Sequence, residues 1–139
     1  MSRRTTWKTL PERDVDLVTP TVLVVDDDRL IREVISLALE DTGYRVIASE
    51  AGEAVDTARN LQPSVVILDI NMPILDGVEV RRRLHTEPKT AHIPVIALSA
   101  ATNLRARAAE MKADDYLSKP FDIDELLLRV EKWAGAPQC

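Results

Sequence analysis

The chain has 139 residues, of which 45% are hydrophobic and 29% charged, a length and balance typical of one folded domain and not of a disordered segment. With 18 Lys and Arg against 23 Asp and Glu, the formal net charge is -5, so the chain lacks the overall positive field of a nonspecific nucleic-acid binder, and we expect no direct nucleic-acid contact. The longest apolar runs are far shorter than the about 20 residues that a membrane-spanning helix needs, so we expect no membrane insertion. The single cysteine, Cys139, allows no internal disulfide, which fits a cytoplasmic location.

Residues 1–20 contain Pro11 and Pro20 among polar residues without a sustained period, which predicts a flexible N-terminal extension. From Thr21 onward, short apolar runs alternate with longer amphipathic segments. This pattern predicts one domain over residues 21–134 and a C-terminal tail over residues 135–139.

Five short apolar runs predict β-strands, because most are rich in β-branched residues and bounded by turn residues. They are Val22 to Val25, Tyr44 to Ala48, Val65 to Leu68, Pro94 to Leu98, and Asp115 to Leu117. Nearly continuous apolarity, rather than alternation, is typical of strands that are buried on both faces of a parallel sheet.

Apolar residues at helical spacing predict a first helix that starts near Leu30 and a last helix that starts near Ile123. Asp28 and Asp122 are their predicted N-caps, and Gly43 is the predicted end of the first helix. Three further helices are predicted over residues 51–61, 76–86 and 102–112. Alternating strands and helices predict a doubly wound α/β sheet, in which ligands bind outside the carboxyl ends of the strands.

Polar side chains follow four of the five predicted strands. They are Asp26, Asp27 and Asp28 after the first strand, Asp69 after the third, Ser99 after the fourth, and Lys119 shortly after the fifth. Several carboxylates at one edge repel one another and need a cation, and a site with oxygen ligands favours Mg²⁺, which often binds together with a phosphate. Asp69 is then a possible nucleophile, and Lys119 and Ser99 are possible phosphoryl partners.

Each of these residues also has a structural interpretation. Asp28 is better explained as a helix cap, Asp69 and Ser99 could form turns, and Lys119 could be a surface lysine. We expect His85 and His92 to be solvated and Arg81 to Arg83 to form a solvated helix face.

As a set, the residues resemble the receiver domain of bacterial two-component response regulators. The matching segments are VLVVDDD with Asp26 and Asp27, VVILDINMPILDG with Asp69, PVIALSA with Ser99, and DDYLSKPF with Lys119. The resemblance covers residues 21–134 and implies a flavodoxin-like fold, with five parallel strands in the order 2-1-3-4-5 and helices on both faces.

The resemblance implies that Asp69 accepts a phosphoryl group from a sensor histidine kinase, a histidine phosphotransfer protein or acetyl phosphate. It implies that Asp26, Asp27, Asp69 and the backbone carbonyl of Asn71 hold Mg²⁺. The reaction would be a self-catalysed phosphorylation and dephosphorylation and not enzymatic turnover. Lys119 would pair with the phosphoryl group.

The resemblance also implies that Ser99 moves to the phosphoryl group and that Tyr116 swings inward. Two positions depart from the family pattern. Lys112 stands where the family usually has glycine, so we expect a differently shaped turn before the fifth strand, and Ser99 is the less common hydroxyl compared with threonine.

By analogy, the first helix near Arg29 to Glu33 is the expected contact for the kinase or phosphotransfer partner. The surface of the fourth helix, fifth strand and fifth helix is the expected contact for a downstream protein or a homodimer. It lies near Arg105, Lys112, Tyr116 and Glu125. Three alternatives stay open: a receiver fragment of a larger regulator, an interaction module without phosphorylation, and a haloacid-dehalogenase-like phosphatase that uses Asp26.

Overall fold

The computed structural model describes residues 19–70, 77–99 and 112–137. In chain order, the elements are β1 (Thr21–Val25), α1 (Arg29–Thr42), β2 (Arg45–Ser49), a short 3-10 helix (Ala51–Glu53), α2 (Ala54–Leu61), β3 (Val65–Asp69), α3 (Gly77–Thr86), β4 (Val95–Ser99), β5 (Asp115–Ser118) and α4 (Ile123–Ala134). The predicted strands and helices within these ranges agree with the structure to within a few residues. The predicted helix over residues 102–112 lies almost entirely outside the described residues, so α4 corresponds to the fifth predicted helix.

The five strands form one parallel sheet in the order β2-β1-β3-β4-β5, which confirms the predicted fold class. Every residue of β3 and β4 is buried, and so are the last four residues of β1. The prediction of burial on both faces therefore holds for the three central strands. It does not hold for β2 and β5, because each lies at an edge of the sheet and has only one neighbouring strand.

Successive residues of the central strands point to opposite faces and divide the core into two clusters. Leu23 and Leu68 pack on one face with residues of α2 and α3, such as Ala58. On the other face, the buried residues of the strands pack with residues of α1 and α4, including Val22, Ile67, Leu39 and Leu126. Full burial of a side chain such as Leu39 stabilises the fold by about 1.5–3 kcal/mol.

The predicted helix boundaries are confirmed at α1. The side chain of Asp28 accepts hydrogen bonds from the Leu30 and Ile31 amides at 2.9 and 3.4 Å, and Gly43 ends the helix with φ 114°. Because β1 ends at Val25, only a short connection separates it from this cap. Asp26 and Asp27 are therefore held at the carboxyl edge of the sheet.

The first residue of α3 lies directly against the end of β3. A Cβ atom on Gly77 would lie 2.4 Å from Ile70 Cα and 2.5 Å from the backbone oxygen of Asp69. Glycine is therefore required at this position. Because it has no side chain, α3 can begin in contact with the backbone of Asp69. Among the described helices, none combines the length and apolarity needed to cross a membrane.

Candidate functional site

The carboxyl edge of the sheet brings together four of the residues that the sequence singled out. Asp26, Asp69 and Ser99 are 2%, 7% and 1% exposed. The Lys119 ammonium reaches into this group, with Nζ 2.8 Å from Asp26 Oδ2 and 3.4 Å from Asp69 Oδ2. The predicted convergence of two acidic strand ends and one lysine is therefore present in the structure.

Lys119 remains charged in this environment. Burial lowers the pKa of its ammonium, but the hydrogen bond to Asp26 and the negative charges of Asp69 and Asp26 outweigh burial and raise the pKa above its ordinary value of 10.5. A permanent cation thus lies beside two buried carboxylates near neutral pH. It offsets part of their mutual repulsion.

The backbone of Asp26 is held by a residue that the sequence reasoning missed. The Arg32 guanidinium donates through Nη1 to the Asp26 carbonyl at 2.6 Å, and the Asp28 amide donates to Asp26 Oδ1 at 2.9 Å. In the sequence, Arg32 is one of several charged residues of an amphipathic helix. The only signal for such a role was its position, one turn into α1 and close to the acidic connection, residues 26–28 between β1 and α1.

One carboxylate oxygen of Asp27 is a candidate metal-binding atom. Its Oδ2 atom is buried and has no hydrogen-bond partner among the described residues. Such an orphaned carboxylate oxygen is costly unless a cation satisfies it, and oxygen donors suit Mg²⁺.

The described residues contain no group of three or more acidic, His or Cys side chains already arranged to hold a metal ion. One Asp26 oxygen is instead engaged by Lys119. Asn71, whose carbonyl was a predicted ligand, lies outside the described residues. Of the predicted ligands, Asp26, Asp27 and Asp69 are among the described residues. Their carboxylate oxygens are donors that suit Mg²⁺, although they do not form a ready-made cluster.

Ser99 and Lys119 are linked through the ends of β4 and β5. Ser99 is opposite Ser118 in the strand register, and the Lys119 amide donates to the Ser99 carbonyl at 2.9 Å. Tyr116 is partly buried and packs against the core cluster on the α2 and α3 face. The predicted hydroxyl thus lies on β4 and the tyrosine on β5, and the lysine directly follows β5.

The prediction of a solvated face at Arg81 to Arg83 is wrong for the first residue. Arg82 and Arg83 are exposed and form ion pairs with Glu79, but Arg81 is only 7% exposed. Arg81 lies on the side of α3 that packs against the rest of the domain, so it is buried although it is charged. His85 and His92 are exposed, as predicted.

The turn before β5 has a left-handed backbone at Lys112. Lys112 has φ 57°, which lies in the left-handed region that glycine favours. The lysine thus adopts a conformation suited to glycine, although it carries a side chain.

A family model described as "Response regulator receiver domain" matches residues 22–131. Response regulator MprA of Mycobacterium sp. is 43% identical over 112 residues, covering 78% of this chain and 48% of that protein. The DNA-binding dual master transcriptional regulator RpaA of Synechocystis sp. is 40% identical over 116 residues, covering 80% of this chain and 47% of that protein. The chain thus spans about half the length of these relatives.

Solved structures show the same fold. The chemotaxis protein CheY4 of Vibrio cholerae superposes with a TM-score of 0.76 and 28% identity, over 83% of this chain and 98% of that chain. The receiver domain of the sensor histidine kinase PA1611 from Pseudomonas aeruginosa gives 0.77 and 29%, over 85% of this chain and 99% of that chain. That structure contains a magnesium ion coordinated in the active site cleft.

Proposed function

The chain belongs to the response regulator receiver domain family, and from this premise we propose that it is a phosphorylation switch whose phosphoacceptor is Asp69. The observation that carries the proposal is the buried position of the Asp69 carboxylate, 3.4 Å from Lys119 Nζ at the carboxyl edge of the sheet. A carboxylate oxygen of Asp69 attacks the phosphorus of a phosphohistidine or of acetyl phosphate. The bond from phosphorus to the donor breaks, and the leaving group keeps its electron pair.

Asp26, Asp27 and Asp69 would hold Mg²⁺ together with the Asn71 carbonyl. The ion would supply positive charge to the phosphoryl oxygens during transfer. The unpartnered, buried Oδ2 atom of Asp27 supports this assignment. The Asp26 oxygen now bound by Lys119 becomes available when the lysine turns toward Asp69.

Lys119 would pair with a phosphoryl oxygen as a point charge, and the Ser99 hydroxyl would donate to another oxygen. A phosphoryl group adds negative charge and acceptor atoms that these donors satisfy in only one arrangement. A complete change of population takes about 5.5 kcal/mol of differential interaction. A few charge-assisted hydrogen bonds supply free energy of that order, and Tyr116, on the strand that leads to Lys119, would relay the change.

We propose that the histidine kinase or phosphotransfer partner contacts α1. Receiver domains interact with histidine kinases, and α1 begins beside the acidic connection. Leu30, Val34 and Leu37 lie along one side of α1 and are 67%, 45% and 67% exposed. An apolar stripe at this spacing suits packing against a helix of a partner.

We also propose which surface passes the signal to a downstream protein or to a second copy of the chain. Lys112 and Glu125, on the proposed surface for a downstream protein or a second copy, are exposed, and Arg105 lies outside the described residues. RpaA is by its name a DNA-binding regulator, but this chain matches less than half of it. We propose that the receiver domain, over residues 21–134, acts in the cytoplasm through protein contacts and binds no nucleic acid. The family is a signalling family and not generally one of turnover enzymes.

The proposal is tested by titrating beryllium fluoride, an analogue of the phosphoryl group, into the protein with saturating Mg²⁺. Backbone amide NMR shifts are followed. We expect saturable shifts at Asp69, Ser99 and Lys119, and no such shifts in Asp69→Asn. Absence of saturable shifts in the unmodified protein would overturn the proposal.

A further inference from the structure

Arg81 is a buried cation on α3, between two exposed arginines. It is 7% exposed, and its Nη2 atom donates to the backbone carbonyl of Lys112 at 3.2 Å. Its Nε atom is buried and meets no acceptor within the described part of the chain. Burying a guanidinium removes its hydration and is unfavourable. The burial of Arg81 against a turn that is distant in sequence therefore needs a structural reason.

The turn that Arg81 contacts is itself strained. Lys112 has φ 57°, and a residue with a Cβ atom is disfavoured in this left-handed region. Such a conformation persists only where surrounding contacts hold it. Part of the support comes from β4, since the Asp114 amide donates to the Val95 carbonyl at 3.0 Å and the Val95 amide donates to Asp114 Oδ2 at 2.8 Å. The hydrogen bond from Arg81 to the Lys112 carbonyl supplies further support.

We propose that Arg81 is a positioning residue whose guanidinium holds the strained turn at Lys112 against α3. The turn leads directly into β5, which runs from Asp115 to the residue before Lys119. The start of α3 is itself fixed against the end of β3, where Gly77 touches the backbone of Asp69. Arg81 therefore joins the helix that follows the candidate phosphoacceptor to the strand that precedes Lys119. The functional part of this inference rests on the proposed function of Asp69, but the clamp itself does not.

The clamp is tested by amide hydrogen exchange at Asp114 in Arg81→Met, which keeps an unbranched apolar side chain and removes the hydrogen-bond donor. We expect exchange at Asp114 to be faster by about tenfold, the equivalent of one charge-assisted hydrogen bond. The Ser64 amide, which precedes β3 and donates to the Thr21 carbonyl of β1, should be unchanged. Arg82→Met, which alters the exposed neighbour, is the matched control and should leave both amides unchanged.

A second variant distinguishes the clamp from simple loss of packing. Glycine adopts the left-handed conformation without strain, so Lys112→Gly should restore slow exchange at Asp114 in the Arg81→Met protein. Loss of packing would not be repaired by glycine at this position. If Arg81→Met does not fold, Arg81→Lys takes its place, because lysine keeps the charge but lacks the planar guanidinium. Exchange at Asp114 is then compared with and without Lys112→Gly. Unchanged exchange at Asp114, or no rescue by glycine, would overturn the clamp.

The functional consequence has its own measurement, the affinity for beryllium fluoride with Mg²⁺. We expect it to fall several-fold in Arg81→Met and to recover in the variant that also carries Lys112→Gly. No binding by the unmodified protein would contradict the proposed function and leave the exchange result standing. Normal binding by all variants, with altered exchange at Asp114, would show that the clamp does not position Lys119.

Discussion

The ammonium of Lys119 lies closer to Asp26 than to Asp69, with Nζ–Oδ2 distances of 2.8 and 3.4 Å. In the proposed metal site, the lysine therefore occupies an Asp26 oxygen that could otherwise bind the ion. Its position suggests that metal binding and the movement of Lys119 toward a phosphorylated Asp69 are coupled.

Replacing Lys119 by Met should change the affinities for two ligands in opposite directions. Mg²⁺ affinity should rise by about tenfold, because a competing cation is removed from Asp26. Beryllium fluoride affinity should fall, because the phosphoryl partner is lost. Calorimetric titration measures both, with the exposed Lys132→Met as control. A parallel loss of both affinities would indicate that Lys119 only supports the fold.

Asp27→Asn should stabilise the metal-free protein and abolish its stabilisation by Mg²⁺. One less carboxylate at the site should raise the free energy of unfolding by about 1 kcal/mol without metal. In the unmodified protein, Mg²⁺ at a hundred times its Kd should add about 2.7 kcal/mol. Urea unfolding with Mg²⁺ and with EDTA gives both values. Equal stabilisation of the two proteins by Mg²⁺ would rule out Asp27 as a ligand.

Two glycines form a matched pair for the contact between α3 and the end of β3. Gly77→Ala places a Cβ atom 2.4 Å from Ile70 Cα, whereas a Cβ atom on Gly52 meets nothing within 4 Å. Gly77→Ala should lower the free energy of unfolding by about 2–3 kcal/mol and slow the phosphorylation of Asp69. Gly52→Ala should have little effect on either quantity. Similar stabilities of the two variants in urea unfolding would contradict the close approach.

Asp115 gives the fold a pH-dependent contribution at the edge of the sheet. Burial raises the pKa of this carboxyl, but the hydrogen bonds from Trp133 and the Tyr116 amide, with the charge and hydrogen bond of Arg129, lower it below its ordinary value of 3.8. Because the folded pKa is the lower one, this stabilisation is complete above the unfolded pKa and is lost as pH falls through the folded pKa.

Trp133→Phe removes the Nε1 donor that lies 2.9 Å from Asp115 Oδ2. We expect a loss of about 1 kcal/mol in the free energy of unfolding at about pH 7. The difference from the unmodified protein should shrink as pH falls well below 3.8. Urea unfolding of both proteins between about pH 7 and a pH well below 3.8 measures this loss and its dependence on pH. A difference that does not depend on pH would assign the effect to packing of the indole ring.

The sequence was sufficient for the sheet and for the acidic edge, because β-branched runs, the Asp28 cap and Gly43 are local signals. It was insufficient where tertiary contacts decide. Arg32 and Arg81 are charged residues on helices, and a helical pattern places such residues in solvent. Only the assembled fold brings Arg32 to the Asp26 carbonyl and buries Arg81 beside Lys112.

The central claim is tested most directly by incubating the protein with acetyl phosphate and Mg²⁺ and locating the adduct by peptide mass spectrometry. We predict one added phosphoryl group, on the peptide that contains Asp69, and none in EDTA or in Asp69→Asn. No adduct under conditions that label a known receiver domain, or an adduct that persists in Asp69→Asn, would contradict the account.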